Sequence, residues 1–501
     1  MRFEEIFLEK ADLQKFEMFR LLASQHHDAL TITDLSARMR LSYQQTYNIF
    51  QELLGDVISL TGETRAAAKR LLIRGSLELS LDSYRCTLLG EAVAFQFMDY
   101  LAQTSQPSVD QFAADHFISH STLLRKTTTL RKFLGQYRIK VSLTQAKFTG
   151  DEKQIRLFLQ AMYWLGYRGL KWPFRAIDQQ ALAAQYRVLP NAATEPIRAL
   201  QEQVFWAVCR TRIAHGCVVR WSAPATQLFA GYPVETTLYP APLFPRLTPQ
   251  ELLSESSFFE FFQHKNLRFT PITPQEDQLL NYLKRPRNPG WVVVERMMAA
   301  LSAYDAEAAA PLWEDPQLVM NMLRLATAFF VLDGNYVKQA DFFASAQLTY
   351  RQTQLRALLA QAVAELPQTS GFTAFHRDQA QFVELAFFLF VPYLHRFRWG
   401  NTVKVKLVMA TSDIVNGEIR EFLANIHIVQ ILPHDAPMTG ADLIVTAPDD
   451  FIAPEQVFQQ TDAVTFNWYL NATETDYYLL YQQIYQLYQA KLRPTATPQQ
   501  A

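Results

Sequence analysis

SVDQFAADHFISHSTLLRKTTTLRKFLG, residues 108–135, has the layout of a helix-turn-helix: a short helix opened by a polar residue, a tight turn, and a serine before a second helix. Residues 31–54, TITDLSARMRLSYQQTYNIFQELL, have the same layout. A shift of 77 positions superposes Leu35 on Phe112, Leu41 on Ile118, Ser42 on Ser119 and Leu53 on Leu130. Thr33 and Asp110 are the predicted caps of the first helices, Ser42 and Ser119 those of the second. Between Asp115 and Asp151 no carboxylate occurs, whereas Arg125, Lys126, Arg131, Lys132, Arg138, Lys140 and Lys147 supply seven positive charges. Such a surface suits the phosphate backbone of double-stranded DNA. The alternative is a pair of ordinary helical hairpins with a solvated charged face.

A major groove admits one α-helix, whose N-terminal end and one face reach base edges and phosphates. In the second copy that face offers Ser119, His120, Ser121, Thr122, Arg125 and Lys126. Its hydroxyls and Arg125 are placed for bases, and Lys126, Arg131 and Lys132 for phosphates. The first copy offers Ser42, Tyr43, Gln44, Gln45, Tyr47 and Asn48, which hydrogen-bond bases but bring no charge. Binding strength is therefore expected mainly from the second copy. With about six phosphates neutralised, affinity should fall by ~10³-fold or more between about 50 and 200 mM salt.

The chain has 501 residues, a length for about three or four domains. Its 49% hydrophobic and 13% aromatic content suffices for packed cores and excludes wholesale disorder. A net charge of −1 leaves any nucleic-acid affinity to local charge segregation. Cys86, Cys209 and Cys217 form no even disulfide framework and fit a reducing compartment. Acids in MRFEEIFLEKADLQK stand where a signal peptide needs an apolar stretch. The longest apolar run, Leu385 to Leu394, is about half the length of a membrane span. A cytoplasmic chain with no membrane contact is expected.

Periodicity sets the organisation. A helix is predicted over roughly residues 10–25, then the first helix-turn-helix. LLIRGSLELSLDSYRCT, residues 71–87, alternates with period two and predicts a hairpin or wing, and Leu88 to Ala102 a supporting helix. YRIKVSLTQAKF, residues 137–148, alternates again and predicts a wing behind the second unit. An amphipathic helix follows, with Ile155, Phe158, Leu159, Met162 and Leu165 on one side. Helical patterns recur at 195–216, 249–265 and about 291–398, interrupted by a predicted linker, Lys284 to Gly290. From Val403 the strands VKVKLVMA, IHIVQIL, ADLIVTAP and VTFNWYL, with a helix near 416–425 and a long terminal one, describe a small α/β domain with a mainly parallel sheet.

The expected fold is multidomain and predominantly α. It comprises tandem winged helix-turn-helix units (1–87 and 88–149), two all-α domains (150–286 and 287–400), a small α/β domain (401–492) and a disordered tail (493–501). No phosphate-binding glycine motif occurs, so no cofactor is expected. Cys209, His215 and Cys217 lack a fourth ligand and a common zinc spacing, so no metal is expected either. Asp449-Asp450, after a strand and beside Pro448, reads as a turn, and an enzyme is not expected.

SVDQFAADHFISHSTLLRKTTTLRKFL, followed by FTGDEKQIRLFLQAMYW, resembles the Mga-type transcriptional regulators of Gram-positive bacteria, and LSYQQTYNIFQEL at 41–53 resembles the first helix-turn-helix of that family. The specific motifs lie within about residues 30–170. The resemblance implies two helical domains similar to phosphotransferase-system (PTS) regulatory domains, PRD-like in kind, and a C-terminal IIB-like domain. It also implies a homodimer, transcription activation in response to carbohydrate supply, and contact with RNA polymerase. Histidines of the regulatory domains would receive phosphate from the PTS phosphocarrier protein or enzyme I. His215, His264, His376 and His395 are the candidates, His215 and His376 first.

Working IIB domains of the matching class carry a cysteine after the first strand. Here Ala410, Thr411 and Ser412 occupy that turn and no cysteine lies beyond Cys217, so the resemblance implies assembly or sensing instead. Ser412, Asp413 and Asn416 read as a helix cap or an anion cradle. YYLLYQQIYQLYQ, residues 477–489, reads as core or dimer packing. The alternative to a DNA-binding regulator is a PTS-linked sensor or adaptor that does not bind DNA.

Overall fold

The computed structural model describes residues 2–24, 30–74, 77–189, 192–222, 225–226, 238–239, 244–285, 288–342, 348–397, 402–409, 415–426, 428–447, 463–469 and 471–492. Helix predominates among them, with two small sheets. The chain divides into two compact units. One is Met1–Glu295 with Gln317–Ala346 and Val363–Phe382, the other Arg296–Pro316 with Gln347–Ala362 and Val383–Ala501.

The first unit opens with α1 (Phe3–Phe7), α2 (Lys10–Ala23), α3 (Ile32–Met39), α4 (Tyr43–Thr61) and α5 (Arg65–Ile73). It continues with α6 (Leu81–Glu91), α7 (Val93–Gln103), α8 (Val109–Asp115), α9 (His120–Lys126) and α10 (Thr128–Gly135). The hairpin expected at 71–87 does not form among the described residues. Ala68 and Leu72 on α5, and Tyr84 and Leu88 on α6, recur every four residues and are buried, a helical spacing that outweighs the short alternation between them. Ser80 caps α6 by accepting from the Ser83 N–H at 3.0 Å. The single helix expected from Leu88 to Ala102 is two, parted at Ala92, whose ψ of 115° leaves the helical region.

The wing behind the second helix-turn-helix is present. Strands β1 (Lys140–Ser142) and β2 (Lys147–Thr149) pair antiparallel, with Val141 opposite Phe148 and both buried. The next helix, α11 (Glu152–Tyr167), is not amphipathic as expected: every residue from Lys153 to Tyr167 is buried. Its polar residues are buried because partners meet them. Arg156, wholly enclosed, donates to both oxygens of buried Glu255, to Glu152 at 3.0 Å and to the Cys217 carbonyl at 2.8 Å. Glu152 also accepts two bonds from Arg212, each 2.8 Å.

Beyond α11 come α12 (Gln179–Arg187), α13 (Pro196–Ala214), α14 (Pro249–Lys265), α15 (Pro274–Leu283), α16 (Pro289–Tyr304), α17 (Ala306–Trp313) and α18 (Pro316–Val331). The series closes with α19 (Tyr350–Ala364), α20 (Thr373–Arg377) and α21 (Gln379–Phe390). The helix break expected near 284–290 occurs between α15 and α16, and residues 286–287 of it lie outside the described residues. Buried Asn288 holds it by accepting from the Gly290 N–H at 2.9 Å.

In the second unit β3 (Val403–Val408), β4 (Val429–Ile431), β5 (Leu443–Thr446) and β6 (Val464–Asn467) form a wholly parallel sheet in the order β4-β3-β5-β6. Val405, Leu443 and Val445 pack with α22 (Val415–Ala424) through Ile419 and Leu423, and with α23 (Glu474–Leu492) through Leu480, Ile484 and Tyr488. The turn at Ala410, Thr411, Ser412 and Asp413, the side chain of Asn416, the pair Asp449-Asp450 and the tail 493–501 lie outside the described residues.

Candidate nucleic-acid interface

The two helix-turn-helix copies share their turn. Helix α3 ends on Arg40 at φ 56° and α8 is followed by Phe117 at φ 52°, positions again 77 apart. In the first, the Arg40 and Leu41 N–H groups reach the carbonyls of Ala37 and Ser36 at 3.3 and 3.0 Å. In the second, Phe117 and Ile118 reach those of Ala114 and Ala113 at 3.2 and 2.9 Å. This left-handed closure satisfies the last carbonyls of each helix. It is normally a glycine position, so neither turn was legible from a glycine. The caps shift by two residues from expectation: Thr31 caps α3 and Ser108 caps α8, not Thr33 and Asp110. Asp110 instead meets His120 at 2.9 Å.

Both second helices start as expected, on Ser42 and Ser119. Helix α4 then runs unbroken for 19 residues, burying Ile49, Phe50, Leu53, Leu54 and Val57. Helix α9 stops after seven. The cause is local: Thr127 and Thr128 hydroxyls bond back to the carbonyls of Leu123 (2.8 Å) and Leu124 (2.9 Å), bending the chain into α10. Leu123, Leu130, Phe133 and Leu134 hold the pair to the core.

Most of the candidate contact residues lie at the surface. Tyr43, Gln44, Gln45, Tyr47 and Asn48 are exposed on α4, as are Ser119, His120, Ser121 and Arg125 at the start and face of α9. Several are already engaged. Ser42 and Gln45 bond each other in a capping box, Gln44 donates to Asn48 at 3.1 Å, and Ser119 accepts from the N–H of half-buried Thr122 at 3.1 Å. Lys126 is ion-paired with Glu9. Arg138 is exposed but engaged as well, donating to the Asp333 carbonyl and lying 3.6 Å from Asp378. Arg125, Arg131, Lys132, Lys140 and Lys147 are exposed and enter no ion pair among the described residues. The wing lysines complete this surface: β-alternation that buries Val141 and Phe148 turns Lys140 and Lys147 outward. Gly150 closes the wing at φ 141°, where a Cβ would sit 2.7 Å from the Arg138 carbonyl. Only a pattern of wing termination would have revealed it.

The four candidate histidines occupy different settings. His215 ends α13, half-buried, beside a cavity of about 300 Å³ that Arg175 and Arg210 also line; burial, then Arg212, pushes its pKa down. His376, on α20, faces the Pro367 carbonyl at 3.4 Å, and the adjacent Arg377 is taken by Asp333 and Asp378. His395 is exposed and meets the Pro392 carbonyl at 2.8 Å. His264 departs from the exposed imidazole that phosphoryl transfer needs: burial, then Arg268 and Arg324, push it down to about 4, and its Nδ1 is enclosed without a partner. Cys209 is buried, its thiol pushed up to about 12.

Among the described residues no helix is long and apolar enough to cross a membrane. Among curated proteins none matches the chain. Residues 77–163 match the family described as the Mga helix-turn-helix domain. That segment runs from the approach to α6 into α11, and so contains α8, α9, α10 and the wing, while the first helix-turn-helix lies outside it. Residues 77–163 of this chain form a Mga-type helix-turn-helix domain.

Proposed function

We propose that the chain is a DNA-binding transcription regulator, an activator that reads promoter DNA through both helix-turn-helix units. The carrying observation is the exposed set Arg125, Arg131, Lys132, Lys140 and Lys147, within the Mga-matched segment and with no carboxylate between Asp115 and Asp151. Helices α9 and α10 and the wing supply charge, and α4 supplies the uncharged donors Gln44, Tyr47 and Asn48. Five neutralised phosphates give a salt slope near −4.5, so affinity falls roughly 500-fold between about 50 and 200 mM salt. That is somewhat below the expectation from six, because Lys126 is committed to Glu9.

In the same reading, phosphorylation of His215 or His376 by PTS proteins tunes the reading heads. Added charge near −2 beside Arg175 and Arg210 would form new arginine pairs at His215. Two copies associate through α23, whose exposed Tyr478, Tyr481 and Tyr485 lie beside the stripe of buried Leu480, Ile484 and Tyr488. The test is capture of genomic fragments by the full chain at two salt concentrations, beside Arg125→Ala/Arg131→Ala. Enrichment of defined upstream fragments, weakened by salt and lost in the variant, is the expected result. No enrichment at low salt, by the dimer in either phosphorylation state, would favour an adaptor that does not bind DNA.

A further inference from the structure

A cavity of about 690 Å³ lies within the first unit, between α14, α15 and α18. That is the size of a small-molecule site. Gln250 and Leu253 are exposed at its rim, whereas Phe261, Leu279 and Thr327 are buried deeper in. Its polar groups are the unusual part. His264 Nδ1 and Thr327 Oγ1 are both enclosed with no hydrogen-bond partner, an arrangement that native interiors avoid unless something else supplies the bond. Lys265, which also lines the cavity, has no carboxylate partner among the described residues. Its ammonium lies 4.8 Å from the Phe262 ring and donates to the Asn266 side chain at 2.8 Å. Lys265 is partly exposed, and Arg324 adds a buried cation, shared with Glu276. Two carboxylates line the cavity as well: Glu251 is turned back on its own helix cap at Thr248, and Glu260 is buried in the wall.

We propose that this cavity binds a small organic anion, a carboxylate on an apolar body. The carboxylate accepts hydrogen bonds from His264, Thr327 and Lys265, and the apolar part lies along Phe261 and Leu279. The Lys265 pKa is lowered to about 8, so the ammonium stays mostly protonated at neutral pH, and an anion beside it would raise that value. Helix α18 carries Arg324 and Thr327, and just past its end Leu332 and Asp333 receive Gln154 and Arg138, the residue that opens the wing. A ligand held by α18 thus acts on an element that touches the reading head.

The inference does not rest on DNA binding and is tested without DNA. The full chain is titrated calorimetrically with octanoate, phenylbutyrate, octanol and inorganic phosphate. At least one carboxylate should saturate at one site per chain, with octanol roughly 10-fold weaker or more and phosphate silent. Thr327→Val, which keeps the packing, and Lys265→Gln should each weaken the carboxylate roughly 10-fold. Leu279→Trp, which fills the cavity, should abolish binding. Failure of both carboxylates to saturate, octanol binding as tightly as octanoate, phosphate binding in their place, or unchanged affinity in folded Thr327→Val and Lys265→Gln would each overturn the proposal.

Discussion

At the scale of single residues, this chain buries charged and polar groups in both of its units and satisfies most of them. Arg156 meets Glu255, Glu152 and a carbonyl; Lys406, buried on β3, donates to the carbonyls of Pro433, His434 and Ala436 at 2.7–2.8 Å. His264 is among the exceptions, and it carries a pH signature. Its folded pKa of about 4 lies below the ordinary 6.5, so the unfolded chain binds the proton more tightly between those values. Stability is therefore unaffected above that window and falls as pH drops through it. Replacing His264 with Gln should recover about 2 kcal/mol of the stability lost between about pH 7 and pH 5, measured as the difference in urea midpoints. An equal acid loss in both proteins would show that the imidazole is not buried in the neutral form.

At the scale of elements, the tandem helix-turn-helix shows how one layout yields two different pieces. The turns are superposable down to their hydrogen bonds, but the three threonines at 127–129 divide one second helix where α4 continues through Phe50 to Val57. Phe117, 95% exposed at φ 52°, is held there by the turn and gains nothing from packing. Phe117→Gly should stabilise the domain by about 0.5–1 kcal/mol, because relief of the left-handed strain exceeds the added chain entropy. Thermal unfolding of the variant checks this, and a lower midpoint would mean that the ring has a packing partner.

At the scale of the molecule, the wing is tied into the helical part of its own unit. Tyr137 donates to Asp341 at 2.7 Å, and Gln154 to the Leu332 and Asn335 carbonyls at 3.1 and 3.0 Å. Association through α23 also belongs here: a chain ending at Asn401 should be monomeric by light scattering at concentrations where the full chain is dimeric, and equal masses would place the interface elsewhere. The repeat at a spacing of 77, the second-helix caps, the charged window, the wing and the parallel sheet were legible in the sequence, because each depends on residues close together in the chain. The burial of α11 was not: Lys153, Gln154 and Arg156 read as a solvent face until Glu255 and the carbonyls of Cys217, Arg220 and Leu332, all distant in sequence, meet them. Nor was the commitment of Lys126 to Glu9 and Arg138 to Asp333, which separates the five cations in no ion pair among the described residues from the seven that composition offers. The sequence by itself determined the helix-turn-helix type, its charge and the starts of its second helices, since local spacing and capping settle those. Only the tertiary structure decided which charges face solvent and which polar groups line the interior cavity, because ion pairing and burial depend on partners brought together by the fold.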